Sequence, residues 1–161
     1  MKLCDHIHVN ASASSIWKVL SDPNFMEMWN PKCVRCHVGN GPFVAGFTYE
    51  ATFRLSKSAE RKAECTIEEY QPDRLLTTKY SGSAFKRGGY VRETYHLIPK
   101  QSGTRIEQVI DFTYSEISII IQLIMKIIST VGHPAGKGPL DGIKELAEHE
   151  KNQQADSVGS R

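Results

Sequence analysis

"FTYEATFRLS", residues 47–56, alternates with the period of a strand. Phe47, Tyr49, Ala51, Phe53 and Leu55 fall on one side, and Thr48, Glu50, Thr52 and Arg54 on the other. Such a ribbon has one face to bury and one to leave in water. The same period recurs on both sides of it. Leu3–Val9, Lys32–Val38, Glu60–Tyr70, Leu75–Tyr80, Tyr90–Ile98 and Thr104–Tyr114 all read as strands. Most of the links between them are short and turn-like, such as Gly39-Asn40-Gly41-Pro42, Gln71-Pro72-Asp73 and Lys100-Gln101-Ser102-Gly103. Short links make neighbouring strands antiparallel.

Helical signals flank this block. Ser12 is placed to cap a helix over Ala13–Leu20, and Asp22-Pro23 restarts a second one over Pro23–Met28. Trp29-Asn30-Pro31 ends it, because the residue before a proline is pushed out of the helical region. Towards the C-terminus, Glu116–Val131 is strongly apolar, Gly132–Pro139 breaks it, and Leu140–Lys151 resumes the helix. The expectation is an α+β chain: a seven-stranded curved antiparallel sheet, two short helices after its first strand, and a long C-terminal helix covering its apolar face. Residues 1–151 form one domain in this reading, and 152–161 a polar, disordered tail.

Composition excludes several classes. The 161 residues carry 40% hydrophobic and 24% charged residues and a net charge of +2, with Lys and Arg scattered along the chain. Neither a nucleic-acid-binding stripe nor a secretory leader is expected. The stretch 117–131 is interrupted by Ser118, Gln122 and Lys126 and falls short of the roughly 20 residues of a membrane span. A cytoplasmic location is expected, with thiols reduced.

Cys33-x-x-Cys36-His37 has the spacing of a haem attachment site or half a zinc site. It lies in an alternating strand, where parity puts Cys33 and Cys36 on opposite faces, and no second cysteine pair exists to complete a metal site. The expectation is a plain strand, with no metal and no cofactor.

The run Ala13-Ser14-Ser15-Ile16-Trp17-Lys18-Val19-Leu20-Ser21-Asp22-Pro23, followed by Met28-Trp29-Asn30-Pro31, resembles the opening of START-like (SRPBCC, polyketide cyclase/dehydrase) proteins, the birch-pollen-allergen-like folds. Ile67–Leu75, Gly103–Ile106 and Leu140–Glu148 resemble later parts of the same family. The resemblance implies a helix-grip: a curved sheet wrapped around the closing helix, with a cavity that takes apolar ligands. It implies no shared catalytic residues. The family's usual approach to the closing helix is less hydrophobic than 117–131 here.

Alternation selects the inward side chains: Ala63, Cys65 and Ile67; Leu76, Thr78 and Tyr80; Val91, Glu93, Tyr95 and Leu97; Ile106, Gln108, Ile110 and Phe112. Glu93 and Gln108 are the polar exceptions. Three accounts stand for Glu93: a register shifted by one residue, a structural hydrogen bond across the hairpin, or a grip on the polar end of a ligand. Trp29 belongs to the core or to the cavity rim. The stretch 117–131 is a packed helix, a gate over the cavity able to touch membranes transiently, or a dimer face. The expected ligand-binding set is Trp29, Tyr49, Phe53, Cys65, Thr78, Tyr80, Glu93, Tyr95, Gln108, Phe112, Ile121, Met125 and Ile128. Two functions fit. One is carriage of a small hydrophobic molecule such as a lipid or polyketide. The other is a cyclase- or dehydratase-like enzyme with Glu93 as general acid or base and Tyr80 or Tyr95 orienting the substrate.

Overall fold

The computed structural model describes residues 1–56, 59–82, 85, 88–115 and 137–158. The strands are β1 (Lys2–Val9), β2 (Cys33–His37), β3 (Thr48–Ser56), β4 (Ala59–Gln71), β5 (Leu75–Ser81), β6 (Val91–Lys100) and β7 (Gly103–Asp111). They form one antiparallel sheet in the order β1-β7-β6-β5-β4-β3-β2. β2 to β7 therefore run as a meander, and β1 returns to close on the last strand. The two short helices bridge the sheet's two edges, because they are the only chain between β1 and β2.

Helix α1 (Ala13–Leu20) begins at Ser12, whose hydroxyl accepts the Ser15 N–H at 3.1 Å. Its buried side holds Ile16, Trp17, Val19 and Leu20. The expected helix Pro23–Met28 is split. A 3-10 turn, Pro23–Phe25, starts where Asp22 Oδ1 accepts the Asn24 N–H, and it passes into one α-turn, α2 (Met26–Trp29). A helix this short gains little from regular α bonding, so the tighter winding near Pro23 sets its start. The closing helix α3 (Pro139–Val158) continues past Lys151 as far as Val158, into the stretch expected as tail. The stretch 117–131 lies outside the described residues.

Helix α3 packs on α1, α2 and β1 through Leu140, Ile143 and Ala147, all buried. Two glycines permit the closest approaches. A Cβ on Gly142 would overlap the Trp29 carbonyl oxygen, so α3 sits directly on the backbone at the end of α2. Gly103 adopts φ +122°, and a Cβ there would overlap the Val9 carbonyl oxygen, where the β6–β7 turn meets the end of β1. The buried Thr104 hydroxyl locks the same corner by donating to Ala11 O at 2.9 Å. Among the described residues, no helix is long and apolar enough to cross a membrane.

Period two selected the inward faces correctly on most strands. Tyr49 and Ala51, Ala63, Cys65 and Ile67, Leu76 and Tyr80, and Val91, Tyr95 and Leu97 are all buried, as are Glu93 and Gln108. The register pairs Thr78 with Glu93 and Tyr95 with Gln108, so the one-residue shift that would free Glu93 does not occur. β2 is the exception. A bulge between Cys33 and Arg35 lets Cys33 face Phe53 and Cys36 face Ala51, which puts both cysteines on the inward side. The expectation of opposite faces is corrected for that reason: one extra residue cancels the parity. That the segment is a strand stands.

Candidate functional site

The inner face of β3, β5 and β6 looks onto the short helices across a small cavity of about 10 Å³. Of the expected ligand-binding set, Trp29, Tyr49, Thr78, Tyr80 and Tyr95 line it. Leu20, Pro23 and Met26 close it from the helical side, and Leu76 from β5. Phe43 completes the lining from the loop between β2 and β3. Alternation could not have found Phe43, because it lies in no strand. The available signal was a lone aromatic between Pro42 and Gly46, since a phenyl ring in a glycine-rich loop gains by turning inward. Its ring packs at 5.8–6.1 Å from those of Phe47, Tyr49 and Tyr70.

Glu93 and Gln108 stand one layer behind the lining. Glu93 is 7% exposed, and its carboxylate takes three hydrogen bonds. Tyr80 Oη donates to Oε2 at 2.7 Å, Tyr95 Oη donates to Oε1 at 2.8 Å, and Gln108 Nε2 donates to Oε1 at 2.5 Å. Gln108 Nε2 also reaches Tyr95 Oη at 3.1 Å. A carboxylate is acceptor-only, and here three strands supply its donors. The expected alternatives thus resolve towards the hydrogen bond across the hairpin. A buried carboxylate without such donors would be strongly destabilising.

Other expected residues lie apart from the lining. Phe53 is half-buried and meets the Tyr80 ring edge-on at 5.7 Å. Cys65 is fully buried opposite Tyr49 in the β3–β4 ladder, and its Sγ donates to Ala63 O at 3.9 Å. Phe112 follows the end of β7, where its N–H donates to Met1 O at 2.8 Å. Ile121, Met125 and Ile128 lie outside the described residues. All four cysteines are free thiols. Among the described residues, no group of three or more His, Cys, Asp or Glu side chains is placed to hold a metal.

Burial dominates the protonation chemistry of this interior. It pushes the Tyr49, Tyr80 and Tyr95 phenols well above the ordinary tyrosine value, and the Glu93 charge adds to the shift of all three. It likewise pushes Cys33 up to about 11 and Cys36 up to about 12, with Glu27 adding to both. Cys65 is raised further by burial and by Cys36.

Two expectations follow. Each of these groups has a higher pKa folded than unfolded. The folded state therefore keeps its full advantage below the ordinary value and loses it as the pH climbs. The window opens at 9.0 for the thiols and 10.0 for the phenols. Above it, each phenol removes about 1.4 kcal/mol of stability per pH unit. In an alkaline titration the phenolate absorbance of these three tyrosines should appear together with loss of circular dichroism, not before it. Ionisation of all six tyrosines in a chain that stays folded would contradict this. Secondly, the exposed Cys4 should react with a disulfide reagent at once and the half-buried Cys36 more slowly, whereas the buried Cys33 and Cys65 react only on unfolding. Counting modified thiols by mass against time checks it.

Comparison with known proteins agrees with this architecture. The sequence matches the polyketide cyclase / dehydrase and lipid transport family over residues 2–148. No curated protein matches. Among solved structures, protein NE0264 from Nitrosomonas europaea is similar at TM-score 0.68 and 16% identity, covering 94% of this chain and 97% of that one. TTHA0849 from Thermus thermophilus is similar at TM-score 0.66 and 11% identity, with 93% and 99% covered. Ara h 8.0201 is similar at TM-score 0.62 and 11% identity, with 95% and 98% covered. At these identities the structures speak for the helix-grip fold alone. The family match spans the strands, the short helices and the first half of α3, and so this chain belongs to the polyketide cyclase / dehydrase and lipid transport family.

Proposed function

We propose that this protein binds a small hydrophobic molecule between the inner face of the sheet and the short helices, and that the molecule takes the place of the Phe43 ring. The observation that carries this reading is the origin of the ring. Its neighbours belong to strands and helices, whereas Phe43 is delivered by a loop that ends at Gly46, whose φ is +89°. A cavity of about 10 Å³ holds at most one water, and a ligand site ordinarily needs a few hundred Å³. Withdrawing a loop-borne phenylalanine frees space without disturbing any strand register. The walls that remain are those of a ligand site, mostly apolar and aromatic with a few convergent polar groups.

The neutral fluorescent probe N-phenyl-1-naphthylamine tests this. It should bind the wild type in a 1:1 complex and bind Phe43→Ala about tenfold more tightly, because the variant no longer has to displace the ring. Absence of binding to both proteins would overturn the proposal.

A second reading keeps Glu93 as the acid or base of a cyclase- or dehydratase-like reaction. Two phenols within hydrogen-bond reach of the carboxylate favour it. Against it, both carboxylate oxygens are already engaged, which fits a brace better than a group awaiting a substrate proton. Glu93→Gln separates the two: a carrier keeps its affinity, whereas an enzyme keeps affinity and loses turnover. We place the protein in the cytoplasm, with no nucleic-acid partner.

A further inference from the structure

We infer that the indole N–H of Trp29 is the polar recognition group of the cavity, and that the ligand class is a neutral molecule carrying an acceptor oxygen, above all a carbonyl. This rests on the ligand-binding reading above and adds the chemistry of what is bound. Among the described residues, only two buried side-chain donors lack a hydrogen-bond partner, Trp29 Nε1 and Arg105 Nε. Arg105 has a partner through another nitrogen, Nη2, which lies 3.0 Å from Glu107 Oε1. Trp29 has no other polar side-chain atom. It is 3% exposed, lines the cavity, and stands edge-on to the Tyr95 ring at 6.1 Å.

An indole N–H can only donate, so whatever completes it must bring a lone pair. Among the described residues nothing supplies one. Other polar groups at this wall are already committed. The Tyr80 and Tyr95 hydroxyls and the Gln108 amide all donate to Glu93. The site thus has one fully buried unspent donor, Trp29 Nε1, in a mostly apolar surround whose lining also carries the Tyr49 and Thr78 hydroxyls. It also has a sign preference. The Glu93 carboxylate lies just behind Tyr95, the ring that Trp29 touches, so an anionic oxygen at Trp29 would face a like charge in a low-dielectric interior. A carbonyl meets the donor without that repulsion.

Three small probes of similar shape test it: acetophenone with a carbonyl, ethylbenzene without one, and benzoate with a negative charge. The sequence has two tryptophans, so the amide spectrum shows two indole N–H signals, and Trp29→Phe identifies that of Trp29. Acetophenone should move the Trp29 signal downfield in the wild type, and ethylbenzene should not. The affinity ratio of acetophenone to ethylbenzene should fall about tenfold in Trp29→Phe, the cost of an acceptor left unpaired. Benzoate should bind at least about tenfold more weakly than acetophenone. An unchanged ratio together with an unmoved indole signal would overturn the donor assignment while leaving the ligand reading in place. Benzoate binding as tightly as acetophenone would overturn the preference for neutral molecules. If neither neutral probe shifts any inner-face resonance, the ligand reading falls, and this inference falls with it.

Discussion

Replacing Glu93 with alanine is expected to destabilise the fold by about 3–5 kcal/mol, measured by urea denaturation at neutral pH. The substitution removes the shared acceptor of Tyr80, Tyr95 and Gln108, and all three donors are buried. Tyr80 is left without a partner and Tyr95 and Gln108 keep only each other, in a place water reaches poorly, and the loss of the side chain adds an unfilled space. Glu93→Gln keeps the shape and one acceptor oxygen, but its amide group now faces donors. It should cost about 1–2 kcal/mol, with the phenols turning to accept where they formerly donated. The ordering matters more than the totals. If alanine costs no more than glutamine, the carboxylate is not the keystone of the cluster. A similar urea slope in all three proteins would show that the unfolded states are comparable.

Gly142→Ala is the second large expected effect, a loss of about 3 kcal/mol. The added methyl would overlap the Trp29 carbonyl oxygen and lie 2.7 Å from its carbonyl carbon. Those are backbone atoms and cannot swing aside as a side chain would, so α3 must lift from the end of α2. This runs against the ordinary gain of alanine over glycine within a helix, roughly 1 kcal/mol in the other direction. Gly39→Ala is the control, since a Cβ there meets nothing within 4 Å, and it should leave the melting temperature almost unchanged. The Gly142 variant should also perturb the Trp29 indole signal, because the helix it displaces rests on that residue. A Gly142→Ala protein as stable as the wild type would mean that α3 does not approach α2 as described.

Alternation carried much of this architecture. Wherever one face of a strand is buried, a period of two leaves a mark that local chemistry alone can read, and Tyr49-Ala51, Cys65-Ile67 and Tyr95-Leu97 all bear it. The caps at Ser12 and Asp22 were equally legible, because each bonds within three residues of itself. Parity even placed Glu93 and Gln108 inside, two residues a hydrophobicity rule would have set in water. It could not say what they bond. Tyr80 and Glu93 are 13 positions apart, and Gln108 is 15 further on.

What the chain determined by itself, then, was the strands, their inward faces, the helix starts and the family, all of them properties of short stretches. Tertiary structure alone decided the rest. The bulge that turned Cys33 and Cys36 the same way depends on pairing with β3, which a strand read by itself cannot reveal. Phe43 fills the cavity only because the β2–β3 loop folds over Tyr49 and Tyr70. The Trp29 donor is unpartnered because α2 and β6 meet where none of the described residues offers an acceptor. In each case the deciding quantity is a distance between segments far apart in sequence, set by packing, and no local pattern of residues encodes it.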